Sequence, residues 1–275
     1  MRQYAPFGIL VVLLWLAYGE NTHGFLGATD PGSPYAGGGL YVPVISLFLV
    51  WLKWDTLKQL PVRGSGWGLP LILLGAAVCF LGSWSGHERL YILSLALVLW
   101  GLVLWLAGTA MTSELFFPIF FLLFMIPLPQ RLENATLPLR LLATKAAAAL
   151  PMALNMPIVV DGTQIRTSGM TFSVDIACSG LGYLLSVTAT ATLLAYFAHC
   201  GLARKLLLLL AAVPVAFAAN VVRIDATIIM GMAFGEGATK GLAHTMAGVV
   251  VYAFAVWALV SIWRLLCRPQ AQHDG

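Results

Sequence analysis

The sequence predicts an all-α polytopic membrane protein of about eight transmembrane helices, with an outer-face amphipathic helix and a small β-hairpin before the sixth span. Two observations carry this. Of the 275 residues, 60% are hydrophobic and 9% charged, with a mean hydropathy of +0.89, whereas a soluble chain is roughly a quarter charged. The apolar residues also fall into runs near the ~20 needed to cross a bilayer. The formal net charge is +4, but its Lys and Arg gather at particular loops and form no basic stripe interleaved with aromatics. The bilayer is therefore the expected partner, and nucleic acid is not.

The spans fall at about residues 5–19, 38–54, 67–84, 90–109, 114–128, 178–199, 204–222 and 244–266. The first reads as an uncleaved signal anchor, because Trp15 and Tyr18 suit an interface, although Ala17-Tyr-Gly19 loosely fits a cleavage site. Arg2, the Lys53/Lys58/Arg63 loop, the Arg204/Lys205 turn and the Arg264/Arg268 end fall on one side. Short loops on the other side are poor in basic residues: about 20–37 has none and about 84–90 has only Arg89, while the turn at Thr112–Ser113 carries no such signal. The positive-inside rule then puts both termini in the cytoplasm and residues 129–177 outside, in a cell inner membrane. A single integral-membrane domain, 1–275, is expected, with its catalytic core at 110–266.

The outer segment has its own order. Residues 131–154, with Arg131, Glu133, Arg140 and Lys145 among Leu and Ala, form an amphipathic helix suited to the interface. Ile158-Val-Val-Asp-Gly-Thr-Gln-Ile165 and Met170-Thr-Phe-Ser-Val174 are β-rich, and Asp161-Gly162 supplies a turn. This hairpin delivers the chain to Cys178. The four cysteines, Cys79, Cys178, Cys200 and Cys267, make no CxxC pair and no Cys/His cluster with zinc spacing. Neither a disulfide framework nor a metal or cofactor is expected.

Three side chains stand out because each sits at the outer end of a different span. Cys178, in Val174-Asp-Ile-Ala-Cys-Ser-Gly-Leu181, heads the sixth span. A lone membrane cysteine is ordinarily an inert small hydrophobe. A helix N-terminus favours the thiolate, however, and Ser179, Gly180 and Gly182 leave room for a backbone to approach. Arg223 closes the seventh span in Asn220-Val-Val-Arg-Ile224. An arginine at a helix end usually snorkels to lipid phosphate. This one lies opposite to the positive-inside bias, and at a helix centre it would cost roughly 2.5–3.5 kcal/mol. Asp225, two residues on, points elsewhere. His244 heads the last span in Gly241-Leu-Ala-His-Thr-Met-Ala-Gly248. By itself it is a hydrogen-bonding interfacial residue. Together a thiol, an imidazole and a guanidinium supply a nucleophile, a general acid/base and an oxyanion or carbonyl donor, the parts of an acyl-transfer site.

At these residues the chain resembles the exosortase/archaeosortase family, multi-pass membrane cysteine transpeptidase-like enzymes. The likeness rests on Cys178-Ser179-Gly180 opening a span, Asn220-Val-Val-Arg223 ending the next and His244 heading the last. It covers about residues 115–266 well and reaches more weakly to Gly38-Gly-Leu-Tyr-Val-Pro-Val-Ile45. Many members carry a polar or basic residue where this chain has Gly182, a difference that bears on substrate selectivity. The resemblance implies a peptidase or transpeptidase acting on membrane-anchored proteins with a C-terminal sorting tail: a short Pro-Glu-Pro-like motif, one hydrophobic helix and a basic cluster. Cys178 would form a thioester, His244 would move the proton, Arg223 would steady the oxyanion, and water or an acceptor nucleophile would resolve the intermediate. It also implies a link to exopolysaccharide production.

Two other classes compete. A transporter or exopolysaccharide-export component would show broken helices, ionisable groups near the midplane and repeat symmetry; Pro214 is the one candidate break. A quinone-linked thiol oxidase would need paired outer cysteines, and only Cys178 lies there. A purely structural scaffold would leave the outer Cys, Arg and His without a role.

Overall fold

The computed structural model describes residues 18, 41–126, 132–167, 169–174, 181–239 and 241–267. They form two compact units, Met1–Leu128 and Pro129–Gly275. The span expected at 5–19 lies outside the described residues apart from Tyr18.

The first unit contains α1 (Tyr41–Leu52), α2 (Trp54–Gln59), α3 (Gly68–Ser85), α4 (Glu88–Leu106) and α5 (Thr109–Phe121), which tightens into a 3₁₀ turn at Leu122–Met125. Its closest pair is α3 against α4. Gly68, Gly75 and Gly82 recur every seven residues along the buried face of α3. A Cβ on Gly75 would stand 2.6 Å from Cγ2 of Val98 and 3.1 Å from its backbone nitrogen, so glycine sets this interhelical distance. Ser94 uses the closeness, donating to the Gly75 carbonyl at 2.8 Å while its hydroxyl lies 2.6 Å from that of Tyr18. Leu73, Leu74, Phe80, Leu81 and Trp84 point outward and are exposed. Glycine inside and leucine outside would be inverted in water, but it is how helices pack in lipid, where burying leucine brings no gain.

The turn between α4 and α5 falls at Ala107–Gly108, not at Thr112–Ser113, which lie inside α5. Their hydroxyls bond back along the helix, to the carbonyls of Gly108 and Ala110, and so do not break it. Gly108 has φ +90°, and a Cβ there would overlap the Arg63 carbonyl. At the same end, Nζ of Lys53 meets Oε2 of Glu114 at 2.6 Å, and Ser46 donates to the Pro118 carbonyl at 2.6 Å. α1 and α5 are thus fastened at two levels.

The second unit holds α6 (Leu132–Ala153), β1 (Ile158–Asp161), β2 (Gln164–Thr167), β3 (Thr171–Ser173), α7 (Leu181–Phe197), α8 (Leu202–Phe234), a 3₁₀ turn at Glu236–Thr239 and α9 (Gly241–Leu266). The turn after α6 passes through Asn155, whose φ of 56° suits an asparagine in the left-handed region. The strands make an antiparallel sheet in the order β1-β2-β3, turning at Gly162 with φ +60°. α8 runs 33 residues straight through Pro214, with no interruption there.

Two cores form along α8. The first joins Val187, Ala191 and Ala195 of α7 and Val251, Ala255 and Leu259 of α9 to Leu208, Ala212, Ala216 and Ala219. The second joins Ala143, Ala147 and Ala148 of α6, Ile165 of β2 and Val174 to Ile224 and Ile228. α6 therefore faces protein with its alanines and leaves Leu137, Leu142 and Leu150 exposed.

Among the described residues, four helical stretches are long and apolar enough to cross a membrane: Gly68–Ser85, Arg89–Leu106, Leu202–Phe234 and Thr245–Leu266. Shorter apolar helices occupy Tyr41–Leu52, Thr109–Met125 and Gly182–Phe197. The chain is a polytopic membrane protein.

The cysteine reading is overturned as well. Cys200, in the turn between α7 and α8, is bonded to Cys267 at the end of α9. Their separation of 67 residues carries no spacing signature. The pairing comes from the packing of α7 and α9, which brings their C-terminal ends together.

Two predictions follow from this packing. Gly75→Leu should force α3 from α4 and lower the detergent melting temperature by several degrees, on the order of 1–3 kcal/mol; an unchanged temperature would contradict the close approach. In protein purified without reductant, peptide-resolved mass spectrometry should find Cys200 and Cys267 alkylated only after reduction.

Candidate functional site

α7, α8 and α9 pack on one another, and their polar contacts converge near Arg223. The guanidinium carbon of Arg223, on α8, lies 5.6 Å from the ring centroid of Tyr183, on the first turn of α7. This is a cation–π distance. The Tyr183 hydroxyl donates to the Gly248 carbonyl of α9 at 3.0 Å. A Cβ on Gly248 would lie 3.7 Å from that hydroxyl and 4.0 Å from Nε of Arg223, so the glycine stands beside both. One aromatic side chain therefore touches the cation of the second helix and the backbone of the third.

Further along, the Thr190 and Tyr252 hydroxyls are 2.8 Å apart, Tyr252 reaches the Ser186 carbonyl at 3.4 Å, and the Tyr183 and Tyr252 rings meet edge to face. With Cys200–Cys267 at the far end, α7 and α9 run parallel and are pinned at three levels.

The three residues singled out from the sequence fare differently. Arg223 is half-buried and does not end its helix, since α8 continues to Phe234. The drop in hydropathy at Arg223 and Asp225 marks the end of the apolar run, while the backbone hydrogen bonds carry on. The stretch from Leu202 to Val222 measures about 30 Å, one hydrocarbon thickness. His244 is the fourth residue of α9, in its first turn. Cys178, with Ser179 and Gly180, lies outside the described residues, which resume at Leu181. Before it, Val174 is buried beside Ile224, and its N–H donates to the Thr163 carbonyl at 2.8 Å.

Two polar residues flank Arg223. Asn220, one turn earlier, is fully buried. Asp225 is 8% exposed, and its Oδ1 has no hydrogen-bond partner among the described residues. Among those residues no group of His, Cys, Asp and Glu is arranged to hold a metal ion. Tyr183 and Gly248 were not picked out from sequence. The signals were there: a tyrosine five residues after the Cys-Ser-Gly motif begins, and a glycine one turn after His244.

The chain matches the family model described as transmembrane exosortase over residues 30–261. It belongs to the transmembrane exosortase family. No curated protein and no solved structure matches it. Membership supports, in broad terms, a sortase-like transpeptidase role for this exosortase, in a bilayer and on membrane-anchored substrates.

Asp225→Asn should raise the melting temperature in detergent by a few degrees, because it removes a buried charge whose Oδ1 is unbonded, a penalty of roughly 1–3 kcal/mol. A fall in melting temperature would mean that the carboxylate is compensated.

Proposed function

We propose that this exosortase cleaves the C-terminal sorting tail of surface-destined membrane proteins through a thioester on Cys178. The observation that carries the reading is the contact of Tyr183 with both Arg223 and Gly248, since it joins the helices that bear Arg223 and His244 to the helix that Cys178 precedes in sequence. Chain connectivity supports it. Residue 178 stands five before Tyr183 in sequence and residue 244 stands four before Gly248, and the helices that hold Tyr183 and Gly248 run parallel. Cys178 is also four residues from Val174, which packs on Ile224, and three from Leu181. At ~3.6 Å per residue these tethers limit it to about 14 Å and 11 Å from those two residues.

The chemistry assigns one step to each group. The Cys178 thiol gives its proton to His244, and the sulfur attacks the scissile carbonyl carbon. Arg223 donates to the oxyanion that develops. The C–N bond then breaks, the leaving amine takes the proton from His244, and a thioester stays on the sulfur. Water or an acceptor amine attacks that carbonyl, His244 accepts the attacking group's proton, and the thiolate leaves. Hydrolysis and transpeptidation share every step up to the last nucleophile. The basic loops favour an outer-face site with both termini in the cytoplasm. A role in exopolysaccharide-associated protein sorting fits this placement.

The test is co-expression with a tagged protein whose tail has a Pro-Glu-Pro-like motif, one hydrophobic helix and a basic cluster. Wild type should shorten the tagged protein, and Cys178→Ala should abolish the shift. Processing that persists in Cys178→Ala would remove this cysteine from the mechanism.

A further inference from the structure

We propose that Tyr183 is a positioning residue for Arg223: its ring holds the guanidinium at the seam between α7 and α9, while its hydroxyl locks the ring to α9. The proposal rests on the reading of Cys178 and Arg223 given above and adds to it the side chain that aims the cation.

The geometry supports this in three ways. First, an arginine side chain has four rotatable bonds and, at about one hydrocarbon thickness along α8, is long enough to extend towards lipid headgroups. The ring face at 5.6 Å gives it an electrostatic seat on the protein side instead. Second, the seat is itself fixed. The phenolic oxygen is bonded to the Gly248 carbonyl at 3.0 Å, and the ring edge is flanked by Tyr252, whose hydroxyl is held by Thr190. Third, Gly248 stands beside both groups, since a Cβ there would lie in ordinary van der Waals contact, 3.7 Å from the tyrosine oxygen and 4.0 Å from Nε of Arg223. Tyr183 is also on the first turn of the helix that Cys178 precedes. A displacement of α7 would therefore move the seat of the cation together with the helix start that follows the Cys178 segment.

A ring that acts by its quadrupole can be separated from one that only fills space. Replacing residue 183 by Phe, then by mono- and trifluorinated phenylalanine, keeps the size nearly constant and progressively weakens the negative face. The readout is the rate of alkylation of Cys178 by iodoacetamide at pH 7, followed by mass spectrometry of its peptide in detergent-solubilised protein. It needs no substrate. A guanidinium held near the sulfur favours the reactive thiolate, so Arg223→Gln should slow alkylation about tenfold. The fluorinated series should fall in steps towards that rate, about threefold or more from Phe to trifluoro-Phe, with no change in melting temperature. Adding the fluorinated residue to Arg223→Gln should slow it no further. A flat series alongside a slow Arg223→Gln would overturn the role of Tyr183 and leave the functional reading intact. If Arg223→Gln alkylates at the wild-type rate, Arg223 does not act on Cys178 and the proposal falls with that part of the mechanism. Tail processing that persists in Cys178→Ala would bring down the functional reading itself.

Discussion

Close approach through small residues is the constraint on which both units depend. In hydrocarbon a leucine gains nothing by turning inward, so helices hold together by dispersion at short range and by a few polar ties. The first unit meets this with the seven-residue glycine spacing of α3 against Ser94, Val98 and Gly101 of α4. The second meets it with alanines: Ala191 and Ala195 of α7, Ala212, Ala216 and Ala219 of α8, Ala255 of α9, and Ala143, Ala147 and Ala148 of α6. Once backbones are this close, short hydroxyl groups and carbonyls can bond across helices. Ser94 to Gly75 is of this kind, while Tyr183 to Gly248 and Tyr252 to Ser186 cross between helices on longer side chains. The polar contacts are therefore consequences of the small-residue packing as well as additions to it.

This coupling explains which features the sequence displays. The helical class is plain from composition, and α6 at Leu132–Ala153 nearly coincides with the amphipathic stretch read at 131–154. The candidate groups are legible because their types are costly in a membrane and each falls where an apolar run begins or ends. The continuation of α8 beyond Arg223 is not legible, because hydropathy reports lipid contact and says nothing about backbone hydrogen bonding. The signal that does report it is the spacing of Ile224, Ile228 and Met232, one turn apart, which maintains an apolar face on α8 towards α6 and the sheet. The third strand, Thr171–Ser173, is as short as three residues and follows a turn, so its pairing with β2 depends on the sheet that precedes it.

The pairing of Cys200 with Cys267 and the bond of Tyr183 to Gly248 failed to show for a related reason. Each joins positions more than 60 residues apart, and no local pattern records which helices are neighbours. Cysteine counting works where spacing encodes a loop, as in small secreted frameworks. In a bundle the relevant distance is across two helix ends. The parallel course of α7 and α9 settles both observations at once: it puts residues 200 and 267 together at one end and residues 183 and 248 together at the other.

Arg223 lies where α8 changes partners. Up to Ala219 the helix is packed by α7 and α9, and from Ile224 it is packed by α6, β2 and Val174. At such a changeover neither core closes fully over the helix, which leaves a half-buried position able to house a long cation. Deeper in the first core, among alanines, there is no volume for a guanidinium. Further out, among Ile224, Ile228 and Val174, it would displace apolar contacts. The segment that leads to Cys178 departs from the second core at Val174, and α7 enters the first core after Tyr183. The same changeover that admits the arginine thus brackets the cysteine's stretch of chain on both sides. The long α8, its continuation past the apolar run included, is what makes a single position serve both cores.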